Sequence, residues 1–322
     1  MPITLRTLIA ATALLLLVVS HAGAQPTAVS PFPRGLSGTL AFQSDKVSAT
    51  NPNGRVRLYT IDLATGTIAP LGNGGEWDDE QPRWSPDGRR VAFKSNRGGS
   101  YNLYVMDADG RNVARLTEHA GNDHDPTYLP DGLSMVFSSD RDRGANRNDL
   151  YRLWFDDGRI ERLTNQFEGY AIMPSVSPDG NWVAFVGQTF PYRDGWAFQV
   201  HVLELATKMT WPFDATAPGC WPNWSPDGQS IAHVFTGAEP SSIQVVSSFG
   251  TSPTPVAGES SSRWHYYPDW SPDGRRLALS TSPQHHEGED WDLAIADPSR
   301  ATPFQRLTTG AGNDRLPDWK PR

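Results

Sequence analysis

The chain has 322 residues, with 28 Lys and Arg against 36 Asp and Glu, a formal net charge of −8 and a single cysteine. That balance argues against a nucleic-acid partner, because phosphate recognition needs a clustered basic surface. The 29 Gly and 27 Pro disfavour a mainly helical chain, and 12 Trp with 13 Phe exclude bulk disorder.

Residues 1–24 read as a secretory signal peptide: Arg6, an apolar run from Leu8 to Val19, then Ala22-Gly23-Ala24 as the cleavage signal. The run is shorter than the ~20 residues a spanning helix needs, so no transmembrane segment is expected in the mature chain. The expectation is an exported protein, periplasmic or secreted. The lone Cys220 gives it no internal disulfide.

After a short lead at 25–37, one motif recurs: PRWSPDG at Pro82, PTYLPDG at Pro126, PSVSPDG at Pro174, PNWSPDG at Pro222 and PDWSPDG at Pro268, with a truncated PDWKPR from Pro317. The leading prolines are 44, 48, 48, 46 and 49 residues apart, a period that fits four-stranded propeller blades. Each motif is followed by alternating apolar strands, such as Val91-Ala92-Phe93 and NLYVMDADG, and often by a short RLT segment. Within the motif, Pro presets the turn, Asp tolerates its second position and Gly takes the left-handed one, so these aspartates read as structural. The N-terminal strands at Leu40, Arg57 and Thr67 complete a blade with the C-terminal PDWK, which closes the ring. The predicted fold is all-β: a six-bladed β-propeller of antiparallel blades over residues 38–322. Blade 1 takes 38–72 plus 317–322, and the others 82–117, 126–164, 174–213, 222–257 and 268–308.

The string from Trp84 to Thr117, WSPDG with VAF, NLYVMDADG and RLT, resembles the TolB-type propeller repeat. The resemblance spans the region after the signal and implies the propeller alone, without the α/β domain that precedes it in TolB. It also implies a binding or protein-interaction module. Related propellers include peptidase-associated domains and sugar-acid lyases, but no G-x-S-x-G elbow follows here.

Loops on a rigid scaffold carry function, so the segments leading into each proline-bearing strand are the place to look. They read WDDEQ, NDHD, YAIM, GCW, WHYY and NDRL. Three residues before the prolines stand Asp79, Asp123, Ala171, Gly219, His265 and Asp314. Asp79, Asp123, His265 and Asp314 form an oxygen and nitrogen set suited to Ca²⁺, Mg²⁺ or Mn²⁺ at the channel mouth, although Asp before a strand also caps turns. No cofactor is required by this reading. Tyr170, Trp221, Trp264, Tyr266 and Tyr267, with Trp196 nearby, are candidates for gripping a peptide or a sugar ring. Two further expectations are a solvated loop at His285-His286 and a hydrogen-bonded core histidine at His233. The leading reading is an exported interaction module for an envelope or extracellular protein, or a saccharide. The alternative is a metal-assisted lyase or hydrolase on carbohydrate with His124 or His265 as base.

Overall fold

Every repeat folds as a four-stranded antiparallel meander, and six such sheets surround one axis. The computed structural model describes residues 25–48, 51–144, 147–188, 198–213, 218–248, 254–256, 262–283, 290–300 and 303–321. Residues 1–24, where the signal peptide is expected, and Trp196, His285 and His286 lie outside the described residues. Blade 2 illustrates the order from axis to rim: Asp79–Trp84, Arg90–Gly98, Ser100–Asp107 and Ala114–Arg115. In blade 1 the C-terminal strand Asp314–Trp319 pairs with Thr39–Ser44, so the two ends of the chain close the ring. The lead adds a small pair, Thr27–Ala28 against Thr308–Thr309.

The prolyl turns are held by their own side chains. The hydroxyls of Ser85, Ser177, Ser225 and Ser271 donate to Asp87, Asp179, Asp227 and Asp273 at 2.5–2.6 Å. Those of Asp87 and Asp227 are thereby held below the usual carboxylate pKa. Each turn glycine has positive φ, and a Cβ on Gly228 would lie 3.3 Å from Pro178 of the preceding blade. The turn motif therefore joins neighbouring blades as well as neighbouring strands.

Side chains from the innermost strands lock the blades to one another. Asp318 of blade 1 accepts from the Trp84 amide at 2.6 Å, and Asp269 of blade 6 accepts from the Trp319 amide at 2.7 Å. Ser175 and Asn223 do the same for Trp224 and Trp270. Between the sheets the core is apolar, with Phe42, Phe93, Phe137, Phe185 and Leu279 buried at equivalent second-strand positions.

Trp319→Ala removes a buried indole from the closing strand and is expected to cost about 3–5 kcal/mol. Gly228→Ala, which forces a Cβ into a left-handed turn, is expected to cost roughly 1–2 kcal/mol. Urea unfolding of both variants tests the ranking, and the reverse order would deny the closing strand its role.

Candidate functional site: the channel and its mouth

The innermost strand of every blade carries the same irregularity. Its register against the second strand shifts after the second residue before the proline: Glu80 pairs with Lys94, and the next pair is Arg83 with Ala92. The residue and proline between form a bulge, where proline's missing N–H is not needed by the ladder. At this point Gln81, Asp125, Met173, Trp221, Tyr267 and Leu316 all have φ between 52° and 60°. Left-handed backbone is unfavourable for such side chains and is doubly so before proline.

The six left-handed residues and their prolines line the channel and leave a space of about 20 Å³, on the order of one or two waters. The axis is thus narrowed here to a small, two-sided cup. Gln81 donates to Asp125 at 2.6 Å and accepts the Asp125 amide at 2.8 Å, while Asp125 accepts the Met173 amide and the Ser138 hydroxyl. Across from them Trp221 and Tyr267 meet edge to face at 4.7 Å.

The proposed metal ligands occupy equivalent positions, but each carboxylate already has a cation from its own blade. Arg97 reaches Asp79 at 2.7 Å, Arg141 grips Asp123 through both oxygens at 2.8 and 2.9 Å, and Lys46 reaches Asp314 at 2.7 Å. Among the described residues no group of three or more His, Cys, Asp or Glu is arranged to hold a metal ion. The capping role falls instead on Asp45 and Asp140, which accept the amides of Asn313 and Asn122. In the sequence, the three repeats with Asp before the proline are also the three with F-x-S-x-[RK] in the second strand. That coincidence is the legible trace of these ion pairs. The same Arg97 and Arg141 guanidiniums stack over the Phe93–Tyr104 and Phe137–Tyr151 pairs.

The two imidazoles differ from their expected place. His265 is buried edge-on against Phe304 at 4.7 Å, its Nδ1 has no hydrogen-bond partner among the described residues, and burial pushes its pKa down to about 4. It is therefore neutral at pH 7 and belongs to the core, not to an open site. His124 lies nearer the mouth, 3.5 Å from Lys94, which is itself 3.2 Å from Glu80. Tyr101 donates to Glu80 at 2.7 Å and packs against the His124 ring. Burial and the Lys94 ammonium hold His124 below the ordinary imidazole pKa.

The aromatic candidates divide. Trp221 and Tyr267 face the channel. Tyr266 is in the core, edge-on to the fully buried Trp291, and Trp264 packs half-buried against the same cluster. Tyr170 begins its strand opposite Gln188 and is half-buried. His233 is a core histidine, its Nδ1 3.2 Å from the Val234 carbonyl. Cys220 is buried with its thiol pKa pushed up to about 12, so it is inert at neutral pH.

Gln81, Asp125, Met173 and Leu316 were not anticipated, nor was the charged group beneath them. There Arg83 donates to Asp318 at 2.8 Å and lies 3.5 Å from Asp269. Burial raises the pKa of both aspartates, Asp269 to about 7 with the Asp318 charge adding to the effect.

Residues 44–211 match the family described as the TolB beta propeller domain. The "Uncharacterized protein Atu1656" of Agrobacterium fabrum is 30% identical over 206 residues, 61% of this chain and 66% of that one. The "Protein TolB homolog" of Chlorobium luteolum is 28% identical over 52% of this chain and 36% of that protein. The chain thus spans from about a third to just under two thirds of the length of these relatives. The crystal structure of TolB from Acinetobacter baumannii superposes with a TM-score of 0.71 at 19% identity, covering 91% of this chain and 69% of that one. At that identity the likeness concerns the fold.

Asp123→Ala strands the Arg141 charge in the interior and is expected to cost about 3–5 kcal/mol in urea unfolding. The loss should be the same with chelator as with added Ca²⁺, Mg²⁺ or Mn²⁺, whereas an ion-dependent loss would place a metal at this position. The Asp269–Asp318 pair gives a second test. The native state keeps a proton there to higher pH than the unfolded chain does, so its contribution to stability falls as pH rises from about 4 through about 7. Asp269→Asn, which can still accept the Trp319 amide, is expected to flatten that fall between pH 5 and pH 8. An unchanged slope would place the titration elsewhere.

Proposed function

The chain belongs to the TolB β-propeller domain family, and from that premise we propose that it is an exported interaction module whose channel mouth receives a segment of an envelope or extracellular protein. The observation that carries this reading is the floor of the cup. Six residues held in left-handed backbone, four of them Met, Trp, Tyr and Leu, turn toward the axis at a cost of about 1–2 kcal/mol each. Strain retained in every blade at the position that meets the axis is consistent with a surface kept for contact. The edge-to-face Trp221 and Tyr267 offer an apolar anchor, and Gln81 and Asp125 across the cup offer polar partners. Export is supported by the order of Arg6, the apolar run and Ala22-Gly23-Ala24. Among the described residues no helix is long and apolar enough to cross a membrane.

The test uses Trp221→Ala/Tyr267→Ala, with Trp211→Ala on the opposite face as control. Photo-crosslinking from position 81 in the producing cell should give a discrete protein adduct, and the double variant should lose it while Trp211→Ala keeps it. An adduct pattern indifferent to Trp221 and Tyr267 would sink the proposal.

A further inference from the structure

The turn face of the propeller, opposite the mouth, carries grooves between blades, and they differ in charge. The groove between blades 2 and 3 is about 810 Å³ and is lined by Arg89, Arg90 and Arg115 on one side and by Tyr128, Trp154 and Phe155 on the other. The groove between blades 4 and 5, about 870 Å³, has Asp179 and Asp227 with Trp182, Trp211 and Trp224, and neither Lys nor Arg in its lining. That between blades 6 and 1 has Arg275, Arg276 and Lys320, but its walls are mainly Gly, Ser, Thr and Pro, with Trp319 as its one aromatic residue. Only the first of the three combines a basic wall with a broad aromatic one.

The cations of that wall are available. Arg89 and Arg90 are exposed and enter no ion pair among the described residues, whereas Arg115 is committed to Glu118 and the Thr117 carbonyl. The groove's own carboxylates are engaged in its hairpins: Asp87 accepts Ser85 and the Arg89 amide, and Asp131 accepts the Leu133 amide. On the far wall Arg152 and Arg159 stack on Trp154 at 4.6 and 3.5 Å, and Arg159 is in turn ion-paired with Asp157 and Glu161. The rim is apolar and open to solvent, with Leu133 68% and Phe155 36% exposed. These are two of five large hydrophobics exposed among the described residues, and Met209 and Trp211 follow turns of the same face.

We propose that this groove docks an acidic, extended segment of a partner protein, its carboxylates on Arg89 and Arg90 and its apolar side chains on Phe155, Tyr128 and Leu133. The chain's net charge of −8 disfavours such a segment over the molecule as a whole, so the unpaired guanidiniums would select this groove. Concavity favours an extended peptide over a flat lipid surface. The site is separate from the channel mouth and stands or falls independently of it.

The probe is a short fluorescent peptide alternating Glu with Phe and Leu, titrated with the protein from Gln25 onward and read by anisotropy. Binding should weaken with salt. Arg89→Glu/Arg90→Glu should raise Kd at least about tenfold, ~1.4 kcal/mol, with an unchanged thermal midpoint because both side chains are exposed. Phe155→Ser should weaken binding too, while Arg275→Glu/Arg276→Glu and Trp221→Ala/Tyr267→Ala should retain it. Equal loss in Arg275→Glu/Arg276→Glu, equal binding of the Lys-for-Glu peptide, or indifference to Arg89 and Arg90 would each overturn the proposal. Absence of peptide binding together with Arg89- and Arg90-dependent sedimentation on phosphatidylglycerol vesicles would also overturn it, and would assign the face to a lipid surface.

Discussion

Six strands converging on one axis cannot all present flat, regular edges to it, and the bulge before each inner proline is how this chain meets that constraint. The left-handed residue bends the strand and turns one side chain per blade to the axis, and the following proline needs no ladder bond. Everything else on the inner strand is placed by that shift. The residue after proline is aimed sideways, where Asp318, Ser175, Asn223 and Asp269 accept the next blade's tryptophan amide. The residue three before it is sealed against the second strand, where its charge meets Arg97, Arg141 or Lys46.

Arg83 shows what happens when one member of the sideways ring cannot accept a hydrogen bond. It donates instead, to the Asp318 carboxylate that also receives Trp84, and leaves two buried aspartates sharing one cation. Burial raises both pKa values, and the Asp318 charge adds to the rise at Asp269. The closing contacts between blades 6, 1 and 2 therefore depend on protonation, whereas Ser175 joins blade 4 to blade 5 without a charge and Asn223 reaches both the Trp270 amide and the Asp269 carboxylate.

The repeat architecture was readable because the WSPDG turn imposes its own geometry: proline, aspartate and glycine each have one job, and the job recurs with the period of a blade. Closure by Asp314–Trp319 against Thr39–Ser44 was readable for the same reason, as a half-motif needing a partner strand. The site was less so. Period-2 reasoning assumes an unbroken strand, and the bulge breaks it between the third residue before the proline and the proline itself. Asp79, Asp123 and Asp314 consequently point at their own blade's cation, while Gln81, Asp125, Met173 and Leu316 reach the axis. Trp221 and Tyr267 line the channel, but Tyr266, one residue away, goes into the core because adjacent side chains leave a strand on opposite sides.

The ion pairs also divide the ring into two halves with different physics. Blades 1 to 3 anchor the mouth end of each inner strand by a buried carboxylate and a cation, with Arg97 and Arg141 stacked on an aromatic pair. Blades 4 to 6 put Ala171, Gly219 and His265 there and fill the space with apolar packing that includes Cys220, Tyr266 and Trp291. A buried charge pair fixes direction because its partner must sit at one place, whereas apolar packing tolerates small displacements. Polar Gln81 and Asp125, with Leu316, come from the first half and Met173, Trp221 and Tyr267 from the second. The cup therefore joins two polar residues and a leucine from the ion-paired blades to three large apolar residues from the apolar-packed ones.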